Sequence, residues 1–173
     1  MAKISKISLF AAFFCAFLIL LSACGYQPIA HKTKKAVGER VFVEVKINPR
    51  DPQNSVALKD EITQAIFERL GVNVSNKADS DSTIEVQLQH IRFSSLAENR
   101  VGFATFYRCE VSVEFKYFNA STQKTRIFSK KGFHNFSLDN TSIITDSVRL
   151  EAINEAVIQA VDGFISQIGI ETQ

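Results

Sequence analysis

The feature that most constrains this chain is a long alternation between Gly102 and Phe118. Phe103, Tyr107, Cys109, Val111, Val113, Phe115 and Tyr117 share one parity; Arg108, Glu110, Ser112, Glu114 and Lys116 share the other. A period of two puts one set on each side of an extended backbone. One side therefore meets a core and the other meets water. That is the signature of an antiparallel sheet covered on a single face. Seventeen extended residues span about 56 Å, far beyond a typical strand of about 5–6 residues. Such a strand must twist or project past its sheet.

Three further stretches fit the same sheet. Val41, Val43, Val45 and Ile47 alternate with Phe42, Glu44 and Lys46, and the prolines of Asn48-Pro49-Arg50-Asp51-Pro52 stop that strand. Ile84, Val86 and Leu88 alternate with Glu85, Gln87 and Gln89 in a strand over 83–93. The apolar phase then slips to Ile91 and Phe93, which predicts a bulge near His90. Ser94 to Val101 reads as a turn holding Glu98, Asn99 and Arg100. After a second turn at Asn119–Gln123, Lys124 to Phe136 returns the chain, with Phe128, Phe133 and Phe136 as its bulky residues. Gly132 lies mid-strand, where a bulge or a close approach is expected.

Two helices are expected. Leu58, Ile62, Ala65, Ile66 and Leu70 fall on one face of a helix over 55–70, with Asn54 or Ser55 as its cap and Gly71 at its end. Leu150, Ile153, Val157, Val161, Phe164 and Ile168 define the last helix, of about 23 residues or about 34 Å, capped by Thr145 or Asp146. The order is β-α-β-β-β-α. The expected fold is α+β: a two-layer sandwich, a four-stranded mostly antiparallel sheet with two helices on one face. The other face stays polar and partly aromatic, through Phe42, Phe106, Phe118 and Phe128, which is unusual for a face meant only for water.

The first residues have a different character. Met1–Lys6 carries Lys3 and Lys6, Ile7–Leu21 is nearly all apolar, and Ser22-Ala23 is small. This is the layout of a secretory signal, and about 15 apolar residues are too few to span a bilayer as a helix. Leu21-Ser22-Ala23-Cys24 looks like the lipobox of bacterial lipoproteins, which implies cleavage before Cys24 and lipid on its thiol. The expected organisation is a removed signal over 1–23, a lipidated N-terminus and flexible tether over 24–40, and one domain over 41–173.

Charge is uneven along the chain. Residues 92–131 hold eight basic and three acidic side chains, whereas residues 132–173 hold one and six. The formal net charge of +2 falls to zero once Lys3 and Lys6 leave with the signal. Either a sheet and a helix match each other's charge, or a basic surface awaits an anion. Nucleic acid is not an expected partner, because an exported domain of zero net charge lacks the basic excess. The three cysteines form no disulfide framework, and Cys109 reads as a small buried hydrophobe. His31, His90 and His134 have no metal-ligand spacing, so no metal is assigned. No set of converging catalytic groups stands out; neither an enzyme nor a cofactor is expected, apart from covalent lipid on Cys24. The pair Lys130-Lys131, set opposite the long strand, faces Glu110 or Glu114 as an ordinary cross-strand pairing would.

Cys24-Gly25-Tyr26-Gln27-Pro28, the β-α-β-β-β-α order, and the run from Arg100 through Gly102 to Tyr107 together resemble the LPS-assembly lipoprotein family LptE. The resemblance covers essentially the whole mature chain. It implies an outer-membrane lipoprotein, lipid-anchored and facing the periplasm or lying inside a barrel lumen. There it would plug and support an LptD-type β-barrel and help deliver lipopolysaccharide to the outer leaflet. It also implies a lipopolysaccharide contact at Arg100. The family's second basic position maps onto Leu138-Asp139-Asn140, which has no base, so Lys130 and Lys131 are the nearest candidates. Gly25, in place of an acid, is compatible with outer-membrane sorting. The alternatives are an accessory lipoprotein of an ABC-type lipid transport system and, with no site to support it, a lipoprotein hydrolase.

Overall fold

The computed structural model describes residues 36–48, 52–138 and 143–171. The expected signal, Cys24, most of the tether and the stretch at 139–140 lie outside the described residues. One sheet contains β1 (Arg40–Lys46), β2 (Asn73–Val74), β3 (Ser82–Glu98), β4 (Ala104–Asn119) and β5 (Lys124–Ser137). Their spatial order is β2-β1-β3-β4-β5. The helices among the described residues are α1 (Pro52–Ala57), α2 (Lys59–Leu70) and α3 (Asp146–Glu171), with a 3-10 turn at Lys77–Asp79.

The mixed α+β class agrees with the sequence, but the sheet has five strands rather than four. The extra one, β2, is two residues long and pairs in parallel with Arg40 and Val41. The expected helix over 55–70 is two helices meeting at Leu58. Hydrogen bonds from Leu58 to Asn54 (3.1 Å) and from Ile62 to Leu58 (2.9 Å) carry the helical path across that joint. Neither Asn54 nor Ser55 stands at the helix start, since both lie inside α1, which begins by Pro52; the Ser55 hydroxyl accepts the Asn48 N–H at 3.1 Å. Thr145 does serve α3, since the Val148 N–H aims at its Oγ1 at 3.5 Å.

The pairing of β1 with β3 is parallel, across the α1–α2 crossover, whereas β3–β4 and β4–β5 are antiparallel hairpins. The expected bulge appears as a register shift between Leu88 and His90. Beside it, past the end of β1, the buried Asn48 side chain donates to the carbonyls of Leu88 (2.5 Å) and Gln89 (3.3 Å) and gives these acceptors a partner. Past the bulge β3 runs on to Glu98, so most of the expected Ser94–Val101 turn is strand.

The core lies between one sheet face and the helices. Val41, Ile84, Val86, Val111, Val113 and Phe115 meet Leu58, Ile62, Ile66, Ile153, Val157 and Phe164 there. Phe115 and Phe164 stack with centroids 4.3 Å apart, and both are fully buried. Burying a side chain of this size stabilises the fold by about 1.5–3 kcal/mol. Phe128 belongs to this core, edge-on to Phe164 at 5.6 Å and 6% exposed. The expectation that it sits on the open face is therefore corrected; Phe133, 49% exposed, takes that place.

Small residues set the position of α3. A Cβ at Gly132 would overlap the Ala156 carbonyl group, and it would lie 2.9 Å from the Ala160 nitrogen. Ala152, Ala156 and Ala160, all buried, repeat every four residues on the helix, so one small stripe faces β5. At the other end of the sheet, the Ala36 carbonyl accepts hydrogen bonds from the Tyr117 hydroxyl (2.9 Å) and the Asn119 amide (3.0 Å). This ties the chain's entry into the domain to the end of β4.

Candidate functional site: the open sheet face and the hairpin tip

Alternation along β3, β4 and β5 leaves the face opposite the helices uncovered. Its charged centre is Glu110, whose carboxylate meets Lys131 at 3.1 Å and Arg92 at 3.8 Å. The Lys131 ammonium bonded to it holds the Glu110 carboxyl below the usual carboxylate range. One register step away, the Arg108 guanidinium donates to Asn135 Oδ1 at 2.9 Å and lies over the Phe133 ring, 4.8 Å from its centroid. Three cations thus surround one acid and one exposed ring. The basic middle of the sequence is a surface, although part of it is matched internally.

The β3–β4 hairpin ends in a built turn. Asn99 Oδ1 accepts the N–H groups of Val101 and Phe103, each at 3.0 Å, and Gly102 takes a left-handed φ of 85°. The side chain of Asn99 therefore replaces backbone partners and holds the loop as an Asx turn. Arg100 is exposed on it. Its neighbours are apolar and unusually open: Val101 is 79% exposed, Phe103 58% and Leu96 44%.

The predicted basic residues do not converge. Lys131 lies on the open face, whereas Lys130, one residue earlier, points to the helix side and bonds Gln167 of α3. Strand alternation makes this separation unavoidable. Register pairs Lys131 with Ser112, eight residues along β4 from Ala104, so roughly 27 Å of strand separates it from the tip. Arg108, which pairs with Ser94, stands nearer to that turn. Arg92 and Arg108 were not singled out in the sequence. Their signal was parity: Arg108 lies on the polar side of the alternation with Glu110, and Arg92 is Glu110's cross-strand partner.

Among the described residues no cluster of three or more His, Cys, Asp or Glu side chains could hold a metal. Cys109 is fully buried, and burial pushes its thiol up to about 11. It packs as a small hydrophobe. A shallow cavity of about 420 Å³, bounded by Phe106, His134, Phe136 and Glu151, opens where β5 meets the start of α3.

The fold and this surface place the chain among two-layer α+β sandwiches with one sheet face left open. More narrowly, the profile of the lipopolysaccharide-assembly family LptE matches residues 42–168, and the chain belongs to that family. Solved structures agree on the fold. The rare lipoprotein B of Shewanella oneidensis is 17% identical, with a TM-score of 0.53, over 76% of this chain and 95% of that one. A protein assigned as a lipoprotein from Caulobacter crescentus is 8% identical, with a TM-score of 0.52, over 84% and 98%. At these identities the likeness is one of fold alone. No curated protein matches the chain by sequence.

Proposed function

We propose that this chain is a non-enzymatic outer-membrane lipoprotein, anchored by lipid on Cys24, that plugs and supports an LptD-type barrel. In this role it helps deliver lipopolysaccharide to the outer leaflet. The observation that carries the reading is the open sheet face, beside membership in the lipopolysaccharide-assembly family. That face is polar, carries Arg92, Arg108 and Lys131, and is studded with Phe106 and Phe133. A barrel lumen is polar too, and polar surfaces with a few aromatic anchors suit a partner interface better than bulk water.

Within this reading, Arg100 makes the first contact with a lipopolysaccharide phosphate. A guanidinium on a rigid turn suits bidentate contact with such an oxyanion. Lys131 supplies positive charge on the open sheet face, and Lys130 joins it only by leaving Gln167. The test is affinity purification of the tagged, lipidated chain from membranes. Recovery of a large outer-membrane barrel is the expected result. Recovery of an inner-membrane ABC-type transporter complex in its place would overturn the reading in favour of an accessory lipoprotein.

A further inference from the structure

We infer that the β3–β4 hairpin tip is a two-part site for an acylated anionic lipid, in which Arg100 meets the phosphate and Leu96, Val101 and Phe103 take the acyl chains; it presupposes the proposed lipopolysaccharide role and assigns the apolar half of that ligand. The tip is built to hold these side chains out. The Asn99 N–H donates to the Phe103 carbonyl at 2.8 Å and the Gly102 N–H to the Asn99 carbonyl at 3.0 Å. With the two bonds that Asn99 Oδ1 accepts from the Val101 and Phe103 N–H groups, four hydrogen bonds tie the five residues from Asn99 to Phe103. Ahead of the turn the register passes from Ser95 to Ala97 and skips Leu96. A bulge of this kind re-aims a side chain, and Leu96 is left exposed, as Val101 and Phe103 are to a greater degree.

An apolar cluster held open in this way marks a contact surface. A barrel lumen is polar, so its wall suits the open sheet face and not this cluster. Charge selects the occupant. Arg100 stands between Asn99 and Val101 and makes no ion pair among the described residues; Glu98, the acid beside the turn, does not pair with it. A free guanidinium among apolar side chains is complementary to an anion joined to hydrocarbon. A bare phosphate would leave Val101 and Phe103 in water, and an uncharged lipid would leave Arg100 unmet. A lipid in transit has its chains withdrawn from a bilayer, and covering them is favourable in proportion to the apolar area removed from water.

The test captures the full chain on a biosensor surface in dilute non-ionic detergent and passes over it lipopolysaccharide, or the same material stripped of its acyl chains. The unaltered chain is expected to bind the acylated form at least about tenfold more tightly, the order expected from covering one large apolar side chain. Val101→Asn combined with Phe103→Asn is expected to bind both forms at the level of the stripped one, with an unchanged far-UV circular dichroism spectrum. Leu96→Asn, on the strand before the turn, is expected to lower the preference severalfold and decides the matter should the double variant misfold. Arg100→Glu is expected to weaken both forms alike. The inference is overturned by equal binding of the two forms, by the full preference in the folded double variant, or by no binding of either form. It is also overturned if sedimentation reveals a dimer that the double variant dissolves, because the tip would then belong to a second copy. The barrel role fails on a different result, recovery of an inner-membrane transporter, which leaves the preference for acyl chains measurable on the isolated chain.

Discussion

Gly132 of β5 and Ala156 of α3 meet backbone to backbone: a Cβ on the glycine would lie 2.9 Å from the Ala156 carbonyl carbon and overlap its oxygen. The contact sets how closely the helix lies on the sheet. Gly132→Ala must push the helix away from β5 and loosen the core beneath it. Overpacking of this kind costs about 1–3 kcal/mol, so the melting temperature is expected to fall by about 3–10 °C. Thermal unfolding followed by circular dichroism checks this, and an unchanged midpoint would show that the helix moves freely.

Phe164 stacks on Phe115 and receives Phe128 edge-on. All three rings lie where α3 crosses the sheet. Phe164→Ala removes the central one and leaves a cavity, at a cost of about 3–5 kcal/mol. Urea titration is expected to give a lower midpoint with the same slope. A loss under about 1 kcal/mol would mean that the neighbouring side chains collapse into the space.

Asp81 fastens the start of β1. Its Oδ2 accepts the backbone N–H groups of Glu39 (3.1 Å) and Arg40 (3.0 Å), and its Oδ1 meets the Arg40 guanidinium at 3.2 Å. The Arg40 N–H, then the Arg40 side chain, hold the Asp81 carboxyl below its ordinary 3.8. A depressed folded pKa stabilises the fold above the ordinary pKa, and that contribution is lost as pH falls through the folded one. Stability is therefore expected to decline below about pH 4, and Asp81→Asn is expected to flatten that part of the curve. Parallel acid titrations of the two proteins would refute the assignment.

Cys109 is expected to be inert in the native state. With its thiol raised to about 11, the thiolate at pH 8 is scarcer than on a free cysteine by about a hundredfold. Maleimide labelling of the Cys109 peptide, read by mass spectrometry, is expected to be slow until denaturant is added. Fast labelling under native conditions would reveal an opening between α3 and the sheet.

Arg100→Glu is expected to weaken lipopolysaccharide binding by about tenfold, or about 1.4 kcal/mol, while far-UV circular dichroism stays unchanged. The turn itself rests on Asn99 and Gly102 rather than on Arg100. Lys131→Glu probes the second cation and sets Glu110 against a like charge. Unaltered binding in Arg100→Glu would remove that residue from the proposed site.

The sequence carried most of the layout because two periods, 2 and 3.6, run cleanly through β4 and α3. It failed where a position lacked a hydropathy signal. Asn73–Val74 is too short to show any period, so β2 was invisible. Leu58 continues the apolar stripe through the joint between α1 and α2, so the break left no trace. On β5, Phe128, Phe133 and Phe136 do not share one parity, and the buried glycine between them has no side chain to reveal the phase. Phe128 was therefore set on the wrong face. Lys130, on the helix side, reaches Gln167 with its ammonium. Arg100 could be picked out only through family resemblance, because its turn is stabilised by a side-chain acceptor that composition does not announce.

The bonds from Tyr117 and Asn119 to Ala36 fix where the chain enters the domain, and Arg100 sits past the far end of the same β4 strand. Sixteen residues of strand set these poles about 50 Å apart, against a hydrocarbon thickness of about 30 Å. No described helix is apolar and long enough to cross that thickness. A domain held at its Ala36 end inside a lumen would nevertheless bridge the bilayer, carrying a fixed positive charge from one water surface to the other.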